Sequence, residues 1–122
     1  EPFKTKGLPF LHLNVNSLIP KIDELRAIAS ETKAAVIGIT ESKLDNSIND
    51  KEIQIDGYSV IRNDRNRNGG GVACYIRNDL CFNLKNVFDK RIETVFFEIL
   101  IPKMKNILVG IFYRPPTHKT YM

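Results

Sequence analysis

The sequence predicts an α/β domain, a mixed β-sheet with a covering helix, within a single unit of 122 residues. Three observations lead there. A strand pattern, a helix pattern and a second strand pattern follow one another from Leu8 to Thr40. The second strand, Ala34-Ala35-Val36-Ile37-Gly38-Ile39-Thr40, has no polar alternation, which is the mark of a strand covered on both faces. Beyond Glu41 the chain breaks into short strands separated by turn residues, as antiparallel pairing requires.

The first strand spans Leu8–Val15. Phe10, His12 and Asn14 take one side, and Leu11, Leu13 and Val15 take the other. A helix is expected next. Ser17 is a candidate N-cap, Pro20 falls in the first turn where its missing N–H costs little, and Asp23 and Glu24 suit the positive end of the helix dipole. Ile22, Leu25, Ile28 and Ala29 recur at helical spacing and form one apolar face. Strand, helix and strand make a βαβ unit with a right-handed crossover. The two strands then run parallel, so their C-terminal ends share one sheet edge, which carries Asn14, Asn16 and Glu41. A polar loop from Ser42 to Asp56, with room for a short helical turn, leads to strands at Tyr58–Arg62, Val72–Arg77, Thr94–Ile101 and Ile107–Tyr113. Asn68-Gly69-Gly70-Gly71 supplies positions for positive φ, and Pro102–Asn106 has the length of a hairpin connection. Arg114-Pro115-Pro116 cannot continue a central strand.

Hydrophobic content of 43% and charged content of 26% are those of an ordinary globular domain. No apolar run approaches the ~20 residues of a membrane-spanning helix, so no membrane role is expected. The first residues carry no charged-then-apolar secretory leader. A net charge of +4 and a pI near 9.1 mildly favour an anionic partner. Cys74 and Cys81 match no zinc spacing. They read as two reduced thiols packed as small hydrophobes, made in a reducing compartment.

Several residues could carry chemistry. Glu41 ends a buried strand, where a carboxylate is a natural Mg²⁺ ligand, although the same position also suits a solvated side chain. Lys43 could hold that carboxylate or contact phosphate. Asn14 could orient the carboxylate through its amide, or serve as a turn former. Arg62, Arg65 and Arg67 precede the three glycines. Guanidinium forks and a glycine nest suit phosphate oxygens, and a solvated hairpin loop is the competing reading. No Lys-Ser/Thr pair follows those glycines, which argues against a P-loop nucleotide site. Tyr113, at a strand end, either presents its hydroxyl to a ligand or packs as an amphipathic edge. His12 reads as structural, and His118 has no assigned role.

Taken in order, "LHLNVNSL", "KIDELR", "IGITESKLD", "DGYSVIRNDRNRNGGGVACYIRNDL" and "VGIFYRPP" resemble the endonuclease/exonuclease/phosphatase domain of non-LTR (LINE, jockey-like) retrotransposon polyproteins. The resemblance runs from Leu8 to Pro116. It implies a four-layer α/β sandwich of which this chain is the N-terminal half, residues 1–122 forming one partial domain truncated on its C-terminal side. One sheet and its covering helix are expected. It implies Mg²⁺- or Mn²⁺-assisted hydrolysis of a DNA phosphodiester, which nicks the target site, in the nucleus. Glu41 matches the metal-binding glutamate and Asn14 an active-site asparagine. Asn16 matches a supporting Asp or Asn, Lys43 a position flanking the metal carboxylate, and Tyr113 a tyrosine that approaches the scissile phosphate in apurinic/apyrimidinic endonucleases.

The family continues with Gly-Asp-x-Asn and Ser-Asp-His motifs, and this sequence has no Asp after Asp89. Those motifs supply the water-activating Asp, and general acid–base work alone is worth roughly 10²–10⁴-fold. The chain by itself is therefore expected to be close to inactive. The alternative is a retrotransposon-derived module that keeps the fold for binding. Two spatial expectations follow: Asn14, Glu41 and Tyr113 gather at one sheet edge, and the sheet face that one helix cannot cover stays apolar and exposed. Such a face would take the missing C-terminal half or a second copy of the chain.

Overall fold

The computed structural model describes residues 8–85 and 92–114. Pro115, Pro116 and His118 lie outside them. The elements are β1 (Phe10–Asn14), a 3-10 turn (Ile19–Lys21), α1 (Ile22–Thr32), β2 (Val36–Thr40), a second 3-10 turn (Asp50–Ile53), β3 (Tyr58–Asn63), β4 (Val72–Arg77), β5 (Cys81–Leu84), β6 (Glu93–Leu100) and β7 (Ile107–Tyr113). The helix starts later than the Ser17 cap predicts. Ser17 has φ 90°, which is incompatible with the extended backbone of an N-cap, and Pro20 sits in the 3-10 turn ahead of the helix. Among the described residues, no helix is long and apolar enough to cross a membrane.

The strands divide into two sheets, where one was expected. The first has the order β1-β2-β4-β3, the second β5-β6-β7. In the first, β1 and β2 are parallel, while β4 is antiparallel to both β2 and β3, so the sheet is mixed. Both edges of β4 are taken, which leaves no place beside it for β5. The chain crosses instead to a second layer, where β6 pairs antiparallel with β5 and β7.

Two cores result, one on each face of the first sheet. On the outer face, Leu25 and Ala29 of α1 pack with Val15, Leu18, Ile37, Ile39, Ala73 and Tyr75. Tyr75 is fully buried, and its hydroxyl donates to the Ile53 carbonyl at 2.7 Å, which ties the polar loop down. On the inner face, Val36, Val72, Cys74 and Ile76 meet Val95, Phe97, Ile99 and Val109 of the second sheet. The face left over by the helix is therefore covered by the chain's own second layer. Every residue of β2 is buried, as its unbroken apolar run requires.

Gly38 has a packing role. A Cβ at that position would lie 2.6 Å from Ile111 Cδ1, so β7 can cross β2 closely only because the side chain is missing. The uncovered apolar surface is displaced to the outer face of the second sheet, where Leu108 and Phe112 are 61% and 56% exposed. Cys74 is buried, which pushes its thiol up to about 12, and it packs as a small hydrophobe. Cys81 is exposed, contrary to its expected burial, because it lies in the edge strand β5 and its side chain points to solvent.

Candidate functional site

The parallel pairing of β1 and β2 sets the site. Asn14 lies opposite Thr40 in the register, so Glu41, one residue further on, emerges diagonally from Asn14 at the same sheet edge. The Asn14 amide Nδ2 donates to Glu41 Oε2 at 2.8 Å. Behind them, Lys43 Nζ donates to Asn16 Oδ1 at 2.5 Å. The Lys21 ammonium donates to the Val15 carbonyl and ties the strand end to the start of the helix.

The backbone here is held in an unusual conformation. Asn16, Ser17, Glu41 and Lys43 all have positive φ, between 47° and 90°. Each non-glycine residue in that region costs on the order of 1–3 kcal/mol, and such residues persist only where their surroundings over-determine them. The surroundings do so. Ser17 N–H donates to the Glu41 carbonyl at 2.9 Å and Leu18 N–H to the Ser42 carbonyl at 2.9 Å. On the other side, Ser42 N–H donates to the Gly71 carbonyl at 3.1 Å and Lys43 N–H to the Gly70 carbonyl at 2.9 Å. Gly71 has φ +91°, and a Cβ there would meet Ser42 Oγ at 2.5 Å, so the approach of these segments depends on glycine.

Tyr113 comes from the other sheet, at the end of β7. Its side chain shares the inner face with Val109 and Ile111 and packs against the second core. Its phenol is pushed above its ordinary value, first by partial burial and then by the charge of the Glu41 carboxylate beside it, with Arg65 opposing. At neutral pH the hydroxyl is protonated and able to donate. Asn14, Glu41 and Tyr113 are thus brought together, and the site straddles two sheets where a single sheet edge was expected.

The three arginines separate. Arg62 is engaged: its guanidinium pairs with Asp64 at 2.8 Å and Asp50 at 3.0 Å and donates to the Asp45 carbonyl at 2.9 Å, and its side chain is only 14% exposed. Arg65 lies over the glycines, donating to the Gly69 carbonyl at 3.1 Å and facing Glu93 at 3.3 Å. Arg67 is exposed to solvent. His12 shares the Asn14 side of β1, and its Nε2 lies 3.3 Å from Thr40 Oγ1.

Sequence reasoning missed Glu93. Its Oε1 accepts from Gly71 N–H at 2.5 Å, and the residue lies directly opposite Tyr113 in the β6–β7 register. A signal was present, because Glu93 occupies the same strand face as Val95, Phe97 and Ile99, and a charge heading an apolar face is unusual.

The donor set bears on a metal. Mg²⁺ takes oxygen ligands, commonly one or two carboxylates with the remaining positions left to water and phosphate. Glu41 is such a carboxylate, held in place by Asn14, so an oxygen-liganded ion fits. Among the described residues, no three His, Cys, Asp or Glu side chains form a metal cluster, and Glu93 is already taken by Gly71 and Arg65. A cleft of about 720 Å³ lies elsewhere. Lys33, Tyr58 and Arg77 line it, which places it at the opposite end of the first sheet from Glu41.

The geometry defines a mixed α/β fold of two packed sheets and a covering helix, with polar residues gathered at one end. Comparison with solved structures identifies this as part of the fold of AP endonuclease-like nucleases. The chain is similar to the AP endonuclease LMAP from Leishmania major, with TM-score 0.66 and 18% identity over 85% of this chain and 38% of that one. It is similar to the 3′ phosphatase NExo (D146N) from Neisseria bound to a product DNA hairpin, with TM-score 0.54 and 17% identity over 84% and 40%. A third likeness is to an AP endonuclease from Archaeoglobus fulgidus, with TM-score 0.53 and 19% identity over 83% and 39%. The chain spans about two-fifths of the length of these structures. The sequence matches no protein-family model and no curated relative.

Proposed function

We propose that this chain is the N-terminal half of a Mg²⁺-dependent DNA endonuclease domain, of the kind that nicks target DNA for a non-LTR retrotransposon in the nucleus. Mn²⁺ would serve in place of Mg²⁺. The observation that carries the reading is the Asn14–Glu41 pair, 2.8 Å apart, at adjacent parallel strand ends with Tyr113 beside it. Strain at four non-glycine residues in the same place supports it, because strain of this kind collects at functional sites. The likeness to nucleases, one of them bound to a DNA product, points to DNA as the partner.

In this reading Glu41 holds the metal, oriented by Asn14. Lys43 and Asn16 brace the loop behind it. Tyr113 donates its hydroxyl to a phosphate oxygen, and Arg65 and Arg67 meet the DNA backbone. Arg62 has no part in it, since its guanidinium is engaged within the fold. When bound, the metal supplies Lewis-acid polarisation of the phosphate and lowers the pKa of a bound water. Among the described residues no uncommitted carboxylate stands beside Glu41 to serve as general base, so in this reading the chain by itself is close to inactive. That same shortage favours the second reading, a module that binds DNA and performs no hydrolysis.

Mn²⁺ titration followed by paramagnetic NMR broadening tests the proposal. Broadening should centre on Glu41 and Asn14 and vanish in Glu41→Ala. Resonances at both residues that stay sharp at millimolar Mn²⁺ would overturn the metal assignment. Supercoiled plasmid should show no nicking above a Glu41→Ala control. Chelator-sensitive nicking that disappears in that variant would overturn the inactivity while keeping the nuclease reading. DNA binding indifferent to metal and to Glu41→Ala would favour the binding module.

A further inference from the structure

Glu93 is a charged residue on the inner, apolar face of β6, with its side chain 14% exposed. An apolar residue would fill such a place without the cost of desolvating a carboxylate. Both of its oxygens reach across to segments of the first sheet. Oε1 accepts from Gly71 N–H at 2.5 Å, and Oε2 faces Arg65 Nε at 3.3 Å. The Gly71 and Gly70 carbonyls in turn accept from the backbones of Ser42 and Lys43, the residues that follow Glu41. Within its own sheet, Glu93 lies directly across from Tyr113. One carboxylate thus stands between the segment that fixes Glu41 and the strand end that presents Tyr113. A nearby bridge, from Asn63 Nδ2 to the Thr94 carbonyl at 2.9 Å, joins the sheets without reaching either of those residues.

We infer that Glu93 is a positioning residue that locks the two sheets together at this end and sets the separation of Glu41 from Tyr113. The inference rests on the nuclease reading only for what that separation is for. If the reading is right, Glu93 governs how a metal on one sheet and a phenol on the other address the same phosphate. Arg65 is its partner, with the guanidinium laid over Gly69 and Gly70 and aimed back at the carboxylate.

The test uses the whole chain and an observable that does not depend on activity. Nuclear Overhauser contact between the Tyr113 ring and the Glu41 side chain is compared across wild type, Glu93→Ala, Glu93→Gln and Arg65→Ala. Contact between the rings of Phe82 and Phe97, whose centroids lie 6.0 Å apart in the inner core, serves as the internal standard. The Tyr113–Glu41 contact should be lost in Glu93→Ala with the internal standard unchanged, and restored in part by Glu93→Gln, which keeps an oxygen for Gly71 N–H. An undiminished Tyr113–Glu41 contact in Glu93→Ala would overturn the inference. Should that variant fail to fold, Arg65→Ala decides in the same way, because it removes the cation that holds the carboxylate in place. Loss of this contact together with absence of any Mn²⁺ response at Glu41 would leave the clamp standing and remove only the nuclease reading.

Discussion

Replacing Gly38 by Ala should separate the two layers where they are closest. The new Cβ would lie 2.6 Å from Ile111 Cδ1, 3.3 Å from Cγ1 and 3.5 Å from Cγ2, whereas ordinary contact begins at 3.4 Å. Ile111 must therefore retreat by about 1 Å or change rotamer, and overpacking of this kind costs roughly 1–3 kcal/mol. Against it stands the gain from removing a glycine from a strand interior, about 0.5–1 kcal/mol. A net destabilisation of about 1–2 kcal/mol is expected, read as a lower urea midpoint at unchanged slope. Ile111→Val removes the Cδ1 atom at the centre of the clash, so the double variant Gly38→Ala/Ile111→Val should be more stable than additivity allows, with a coupling of about 1 kcal/mol. A Gly38→Ala protein as stable as wild type, or a cycle with no coupling, would show that the layers are not in contact as described. Tyr113 lies two residues beyond Ile111 on the same strand face, so the variant should also weaken the Tyr113–Glu41 contact.

Two further outcomes are expected. Stability should fall as pH rises past 9. Cys74, Tyr58, Tyr75 and Tyr113 are all raised in the fold, chiefly by burial, so the folded state holds protons that the unfolded chain has released. The contribution is complete below the unfolded values of 9.0 and 10.0 and is lost as pH climbs through the folded ones. Urea midpoints taken from pH 8 to 11 check this, and a flat profile would contradict it. The outer face of the second sheet should drive self-association, because Leu108 and Phe112 stand exposed on it two turns of the pleat apart. Light scattering at micromolar concentration should show a dimer that Leu108→Ser with Phe112→Ser converts to monomer, and a clean wild-type monomer that binds no hydrophobic dye would refute it.

The parts of the fold set by local pattern were legible in the sequence. The unbroken apolar run of β2 announced burial on both faces. The βαβ order placed Asn14 and Glu41 at one edge, because parallel strands leave no other choice. Gly70 and Gly71 took the positive φ that their run predicts. What stayed hidden depends on long-range competition. Whether β5–β7 extend the first sheet at a free edge, β1 or β3, or form another is settled by packing between distant segments, and no residue in β5 records that. Ser17 looked like a helix cap, but the bond from its N–H to the Glu41 carbonyl holds it in a left-handed conformation that a cap cannot adopt. Arg62 looked free for phosphate, and only the fold brings Asp50 to it from 12 residues away. Glu93 fell one residue outside the strand expected from Thr94, and nothing local pointed to its targets, Gly71 and Arg65.

The left-handed loops around Glu41 bear on the order in which the molecule assembles. Their conformation is imposed by partners far along the chain: the Asn14–Glu41 and Lys43–Asn16 bonds each span 27 residues, and the Gly71–Glu93 bond spans 22. None of these loops prefers its shape by itself, and each contact must close a long segment of chain before it returns any stabilisation. The helix and the β6–β7 hairpin are local and form first. The strand ends carrying Glu41 and Tyr113 come together last, when both layers have docked. Opening of these strand ends ahead of either core is the expected outcome, to be read as amide exchange at Ser42 and Gly71 faster than global unfolding.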